Sequence, residues 1–264
     1  MRKHHLESIE KLKEYFLHTD GLIAIVLDGS VVKGNAREDS DIDAVIVVTE
    51  EKYRELEKQN RLAEVIFGHC TYEGGYFDIK YKTKAMLEEA AAHASEPTRN
   101  AYVKAQVVYS KDSGMQGLVD QISSYPEHEL EEKIHCFNAN LQLNRNYFMN
   151  CVGPDNHYMR AHIAHEIVYS VYRLILAENR VLFPCNRRLE ETVLQCQRRP
   201  TDILELGSAF LADITTENCE RFVAAFLKQT ALSLTEDISL NCSRYVKYYE
   251  DWWMRSNPPF PNEW

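Results

Sequence analysis

The stretch Leu27–Val48, "LDGSVVKGNAREDSDIDAVIVV", decides how this chain is read. Its last six residues, "DAVIVV", are apolar and β-branched after the aspartate, the composition of a buried strand. Asp41 and Asp43 stand at the mouth of that strand two residues apart, so both side chains point to one face and their carboxylates converge. Converging carboxylates repel unless a cation lies between them, and hard oxygen ligands of this kind suit magnesium. Upstream, "LIAIVL" reads as a second buried strand that Gly29 and Ser30 close. A glycine there lets backbone approach a ligand closely, and the following turn with the Ser30 hydroxyl makes a cradle for terminal phosphates. Gly34 lets the loop turn back toward Asp41. A third carboxylate should come from a neighbouring strand, and Asp78 in "GGYFDIKYKT" meets that expectation. Lys80, two residues on and on the same face, reads as a phosphate contact or an ion-pair partner.

The series Gly29, Ser30, Gly34, Ser40, Asp41, Asp43 and Asp78 resembles the signature of the DNA polymerase beta nucleotidyltransferase superfamily, over about Gly21 to Lys82. The arrangement is similar to its small stand-alone bacterial members, the kanamycin-type and lincosamide-type antibiotic nucleotidyltransferases. The resemblance implies two magnesium ions on Asp41, Asp43 and Asp78. It also implies an NTP donor, ATP foremost, bound by Gly29, Ser30, Gly34 and Ser40; Lys80 and Arg187 are read from their own positions as candidate further phosphate contacts. The reaction it implies is transfer of NMP to a hydroxyl of a small antibiotic-like molecule, with release of pyrophosphate. Relatives of this kind take a general base from the helical half, and Glu166 in "NHYMRAHIAHEIVYSVYR" is the candidate, because His162, Glu166 and Tyr169 or Arg173 share a helical face. The plainer reading of Glu166 is an ion pair with Arg173 or Arg160. Arg187, beside Arg180 and Arg188 around a proline turn, either holds triphosphate oxygens or joins a cluster that pairs with Glu190 and Glu191. Transfer to a protein or tRNA acceptor, and an NTP-binding sensor without turnover, use the same site and stay open.

The texture of the chain changes half-way. Leu6, Ile9, Leu12 and Phe16 give an opening amphipathic helix; "TEEKYRELEKQN", "KAMLEEAAAHA" and "MQGLVDQI" add helices between the strands "DAVIVV", "AEVIFG", "GGYFDIKYKT" and "KAQVVYS". From Glu127 onward helical patterns run over 128–150, 157–180, 187–198, 202–213 and 217–254. Pro126 in "SSYPEHE" marks the boundary, since proline starts a helix comfortably. The expected fold is therefore an α/β nucleotidyltransferase domain with a mixed sheet, residues 1–125, followed by an all-α helical-bundle domain, 126–264, with the active site in the cleft between them.

Composition bounds the rest. The 264 residues are 45% hydrophobic, enough for a real core. A net charge of −10 disfavours a protein built to hold a nucleic-acid backbone. No apolar run is long enough to span a membrane, and "MRKHHLESIEKLKEYFLHTD" lacks the apolar core of a secretion signal. Seven scattered cysteines suit reduced core thiols in a cytoplasm. A homodimer is an open expectation. His4, His5 and His93 read as exposed and carry no hypothesis, and the tail "RYVKYYEDWWMRSNPPFPNEW" reads as an aromatic anchor for a terminal helix.

Overall fold

The computed structural model describes residues 1–254. Two compact units make up the chain, Met1–Ser124 and Tyr125–Trp264.

In the first unit, strands β1 (Leu22–Leu27), β2 (Ile42–Val48), β3 (Ala63–Phe67), β4 (Tyr76–Thr83) and β5 (Gln106–Ser110) form one sheet in the order β3-β4-β2-β1-β5. Only β2 and β4 pair in parallel; every other neighbouring pair is antiparallel, so the sheet is mixed as expected. Helices α1 (Lys3–Phe16), α2 (Gly29–Lys33), α3 (Glu50–Lys58), α4 (Lys84–His93), α5 (Glu96–Ala101) and α6 (Met115–Ile122) connect and cover it. Side chains alternate across the strands. Ile25, Leu27, Ala44, Ile46, Phe77 and Ile79 pack on one face with Leu12 and Phe16 of α1 and Leu56 of α3. Ala24, Val26, Val45 and Val47 pack on the other with Leu87 of α4 and Met115, Val119 and Ile122 of α6. Burial on both faces explains why β1 and β2 read as unbroken apolar runs. Helix α5 is an element the periodicity does not announce. It carries Arg99, 2% exposed, whose guanidinium donates to the carbonyls of Ala91, Ala94 and Ile122 and so laces α4, α5 and α6 together.

The second unit is helical: α7 (Leu130–Leu143), α8 (Met149–Cys151), α9 (His157–Asn179), α10 (Leu189–Gln195), α11 (Ile203–Ala212), α12 (Thr216–Gln229) and α13 (Ile238–Tyr245). Helix α9 is buried almost without interruption from Ile167 to Glu178 and forms the axis of a core that includes Phe137, Phe183, Phe210, Phe222 and Phe226. Arg173 lies inside it, stacked over the rings of Phe137 and Phe183 and donating to the Tyr169 hydroxyl at 2.6 Å.

Several expectations change here. The pattern over 217–254 is two α-helices, interrupted between Gln229 and Ile238, and after Tyr245 it passes into a π turn, Val246–Glu250, and a 3-10 turn, Trp252–Met254. The buried Glu178 carboxylate ends α12 by accepting from the Thr230 hydroxyl at 2.7 Å and from Ala231 N–H at 3.0 Å, and Asp237 restarts the chain as the cap that accepts from Leu240 N–H. The run 128–150 begins as a 3-10 turn, Glu127–Glu129, and passes from α7 into a π turn, Asn144–Phe148. His5 is fully buried, with His4 and Tyr72 against its ring, where the sequence suggests exposure. All seven cysteines are free, but only Cys136, Cys196 and Cys219 are buried, and Cys151 and Cys242 are exposed. The last part of the aromatic tail, 255–264, lies outside the described residues. Among the described residues no helix is long and apolar enough to cross a membrane.

Candidate active site

Strand register builds the site. The parallel ladder sets Asp43 of β2 directly beside Asp78 of β4, and the step before Ile42↔Phe77 places Asp41 beside Tyr76. Asp41, Asp43 and Asp78 thus emerge from one face of the sheet, half-buried, and each offers a carboxylate oxygen within 4.8 Å of the other two. Tyr76 is hydrogen-bonded to Asp41, which raises the phenol's pKa and ties to β4 an aspartate that precedes the regular part of β2.

On the other side of Asp43 lies Gly29, with φ +71°. A Cβ at Gly29 would stand 2.8 Å from the Asp43 Cβ and nearer still to its carboxylate, so glycine is required both by the backbone and by the close approach. Gly29 and Ser30 open the short helix α2, and Gly34, φ +85°, ends it in the left-handed conformation with its N–H on the Ser30 carbonyl at 3.1 Å. Ser40 is buried: its hydroxyl accepts from Arg37 N–H at 2.8 Å, and its carbonyl accepts from the Tyr72 hydroxyl. It therefore shapes the loop that delivers Asp41. Lys80 is exposed on the same face of β4 as Asp78.

A fourth carboxylate, Asp28, joins the group and escapes sequence reading. It is 6% exposed, and its N–H donates to the Asp43 carbonyl at 3.2 Å. The available signal is its position two residues after Val26, on the face that also carries Val45 and Asp43. Burial pushes Asp28 up to about 6 against the pull of Lys80 and Lys33. Asp43 is pushed up to about 7, by burial first and then by Asp28, Asp41 and Asp78. Burial and the neighbouring carboxylates disfavour the charged form of Asp43, and a set of carboxylate oxygens converging on that point fits a divalent cation such as magnesium.

Residues 9–93 match the family model of the nucleotidyltransferase domain. The first unit carries a nucleotidyltransferase domain. This domain marks the chain as a transferase enzyme. Two solved structures resemble it at a distance. A nucleotidyltransferase-like protein from Exiguobacterium sibiricum is 13% identical, with 95% of this chain and 80% of that chain covered and a TM-score of 0.49. The spectinomycin adenyltransferase AAD(9) from Enterococcus faecialis, solved with ATP and spectinomycin, is 14% identical, with 90% of this chain and 96% of that chain covered and a TM-score of 0.32. Scores below 0.5 make both likenesses too distant to define a ligand or a fold. No curated protein matches the sequence.

The candidates from the second unit sit in settings of their own. Glu166, on α9, accepts from Asn140 Nδ2 at 2.7 Å and faces His165 Nδ1 at 3.5 Å. Burial pushes its carboxyl up, but the bonds from His165 and Asn140 outweigh it and leave the group below its ordinary range. The ion pair with Arg173 or Arg160 is not what holds it: Arg173 donates to Tyr169, and Arg160 donates to the Ile214 carbonyl. Arg187 is exposed in the 3-10 turn Asn186–Arg188, beside an Arg188 that pairs with Glu191 at 2.9 Å; Arg180 pairs with Glu127 at 3.1 Å.

Proposed function

We propose that the nucleotidyltransferase domain moves NMP from an NTP, ATP foremost, to a hydroxyl of a small-molecule acceptor. The observation that carries this reading is the convergence of the Asp41, Asp43 and Asp78 oxygens within 4.8 Å, directly beside the glycine turn. Magnesium held by these three aspartates would polarise the α-phosphate and offset the charge of the triphosphate. Ser30 and the backbone after Gly29 bind the β and γ phosphate oxygens, and Lys80 contributes positive charge from β4. Tyr76 and Ser40 keep Asp41 in place. The acceptor oxygen bonds to the α-phosphorus as the bond to the β-phosphate oxygen breaks. Pyrophosphate leaves with that electron pair, and the hydroxyl proton passes to a base. Glu166 is our candidate for that base, being ionised at neutral pH, the form that can accept a proton. Arg187, exposed and cationic, is a candidate for the departing pyrophosphate.

The test supplies each α-labelled NTP with magnesium to the purified chain and two acceptor pools, one of small hydroxylated molecules that includes aminoglycosides, lincosamides and aryl-bearing alcohols, the other of cell protein and tRNA. Label moving to a small molecule with the native chain, and not with Asp43→Asn, is the expected result. Label moving only to a macromolecule would overturn the small-molecule assignment, and an Asp43→Asn variant transferring at the native rate would overturn the site itself.

A further inference from the structure

Strand β3 is one of the two outer strands of the sheet, and its two faces are assigned unusually. Glu64 and Ile66 turn toward the α1 side, where Ile66 packs on the core and Glu64 accepts from the Tyr81 hydroxyl at 3.3 Å. Val65 and Phe67 turn the other way and stay 54% and 70% exposed. The antiparallel register puts Val65 directly opposite Asp78 and Phe67 directly opposite Tyr76. Directly opposed residues share a face, with side chains about 5 Å apart. The exposed apolar pair is therefore continuous with the aspartate cluster, and the Phe67 and Tyr76 rings already touch, their centroids 5.4 Å apart and their planes tilted by 45°.

We propose that Val65, Phe67 and Tyr76 form a shelf on which the acceptor lays an apolar ring next to the hydroxyl that is modified, a reading that rests on the transfer activity proposed above. Topology supports it. In the order β3-β4-β2-β1, the Gly29–Ser30 turn flanks Asp43 from the β1 side, while the shelf flanks Asp78 from the β3 side. Phosphoryl transfer needs the attacking and leaving oxygens roughly in line through phosphorus. With the leaving pyrophosphate on the β1 side, the acceptor approaches from the side that carries the shelf. An added peptide strand would bond to the outer edge of β3 and leave the two side chains uncovered, because they stand perpendicular to the sheet. A flat ring lying on the sheet face covers them. The acceptor class is thus a hydroxylated molecule with an aryl or similarly flat apolar group, rather than a uniformly polar sugar.

Matched probes test this without turnover: phenyl β-D-glucoside and methyl β-D-glucoside share every sugar hydroxyl and differ only in the ring. Saturation-transfer NMR with the full chain and magnesium should show the aryl protons saturated roughly fivefold more strongly than the methyl group of the other probe, the size expected for one ring-stacking contact. Phe67→Ser should remove most of that difference and Val65→Thr part of it, with thermal melting unchanged because both positions are exposed. Equal saturation of the two probes, or aryl saturation that persists in Phe67→Ser, would overturn the shelf. So would a native dimer that Phe67→Ser converts to a monomer in sedimentation, since a second copy would then cover the strip. Asp43→Asn should keep the aryl signal while abolishing transfer of label, so failure of the transfer reading and failure of the shelf give different results.

Discussion

Replacing Gly29 with alanine imposes two separable penalties, and the protein contains the control for one of them. Gly29 and Gly34 both have positive φ, +71° and +85°. An L residue in that region costs about 1–2 kcal/mol. At Gly34 nothing lies within 4 Å of an added Cβ, so Gly34→Ala should cost only that strain. At Gly29 the added Cβ lands 2.8 Å from the Asp43 Cβ and overlaps the carboxylate, so a further overpacking cost of about 1–3 kcal/mol applies. Gly29→Ala is therefore expected to destabilise the first unit by about 2–5 kcal/mol in all. Asp43→Ala removes the carboxylate that is struck but keeps its Cβ, so the double variant should recover part of the overpacking cost, about 1–2 kcal/mol, measured as a coupling energy. Urea unfolding of the five chains (native, Gly29→Ala, Gly34→Ala, Asp43→Ala and the double variant), followed by far-UV dichroism at pH 5, gives each value. Equal costs at Gly29 and Gly34, or a coupling energy of zero, would refute the claim that Gly29 is shaped by Asp43.

The remaining expectations are shorter. Asp43 and Asp28 are held at about 7 and about 6 against an ordinary 3.8, so their contribution to stability is complete below about pH 4 and is lost as pH rises through 6 to 7. Metal-free protein should lose a few kcal/mol across that window, and magnesium at pH 8 should restore it, as thermal melting in chelator and in magnesium will show. Asp43→Asn should raise the melting temperature of metal-free protein at pH 8, by about 1–3 kcal/mol in stability, while labelled transfer falls below detection. Glu178→Ala strips the partners from Thr230 and Ala231 and should cost about 2–3 kcal/mol, with faster hydrogen exchange confined to 230–237. Glu166→Gln should lower kcat with little change in the Km for NTP if the carboxylate serves as the base, and both constants will stay at native values if it only braces Asn140.

What the sequence showed plainly was whatever follows from local spacing. Asp41 and Asp43 converge because strands repeat every two residues, and the apolar runs around them are buried on both faces of the sheet. Asp78 could be anticipated as a same-face strand residue, though only pairing shows that it stands directly beside Asp43. What stayed hidden depends on partners far along the chain. Asp28 looks like the polar end of a strand until burial places it beside Asp43. The break after Gln229 is invisible because the carboxylate that makes it, Glu178, is 52 residues away. Tyr76 and Ser40 act by holding Asp41 and its loop, a role that has no sequence signature. The buried His5 is a polar position on the inner face of α1, while the apolar Leu6 beside it is half exposed, so only the packed neighbours reveal which of the two turns inward.

The placement of β3 outside β4 also bears on the order of assembly. Between β2 and β4 the chain runs out to an edge strand and returns, so β3 and β4 form a local antiparallel hairpin that is expected to pair before it docks against β2. Local hairpins close within microseconds, whereas a parallel pairing across an intervening helix and strand waits on a longer loop. Asp78 accordingly meets Asp43 only in the closing event. Mutual repulsion of the aspartates then burdens the finished sheet and not the routes that lead to it, and a divalent cation should slow the opening of this seam while leaving the rate of its formation almost untouched.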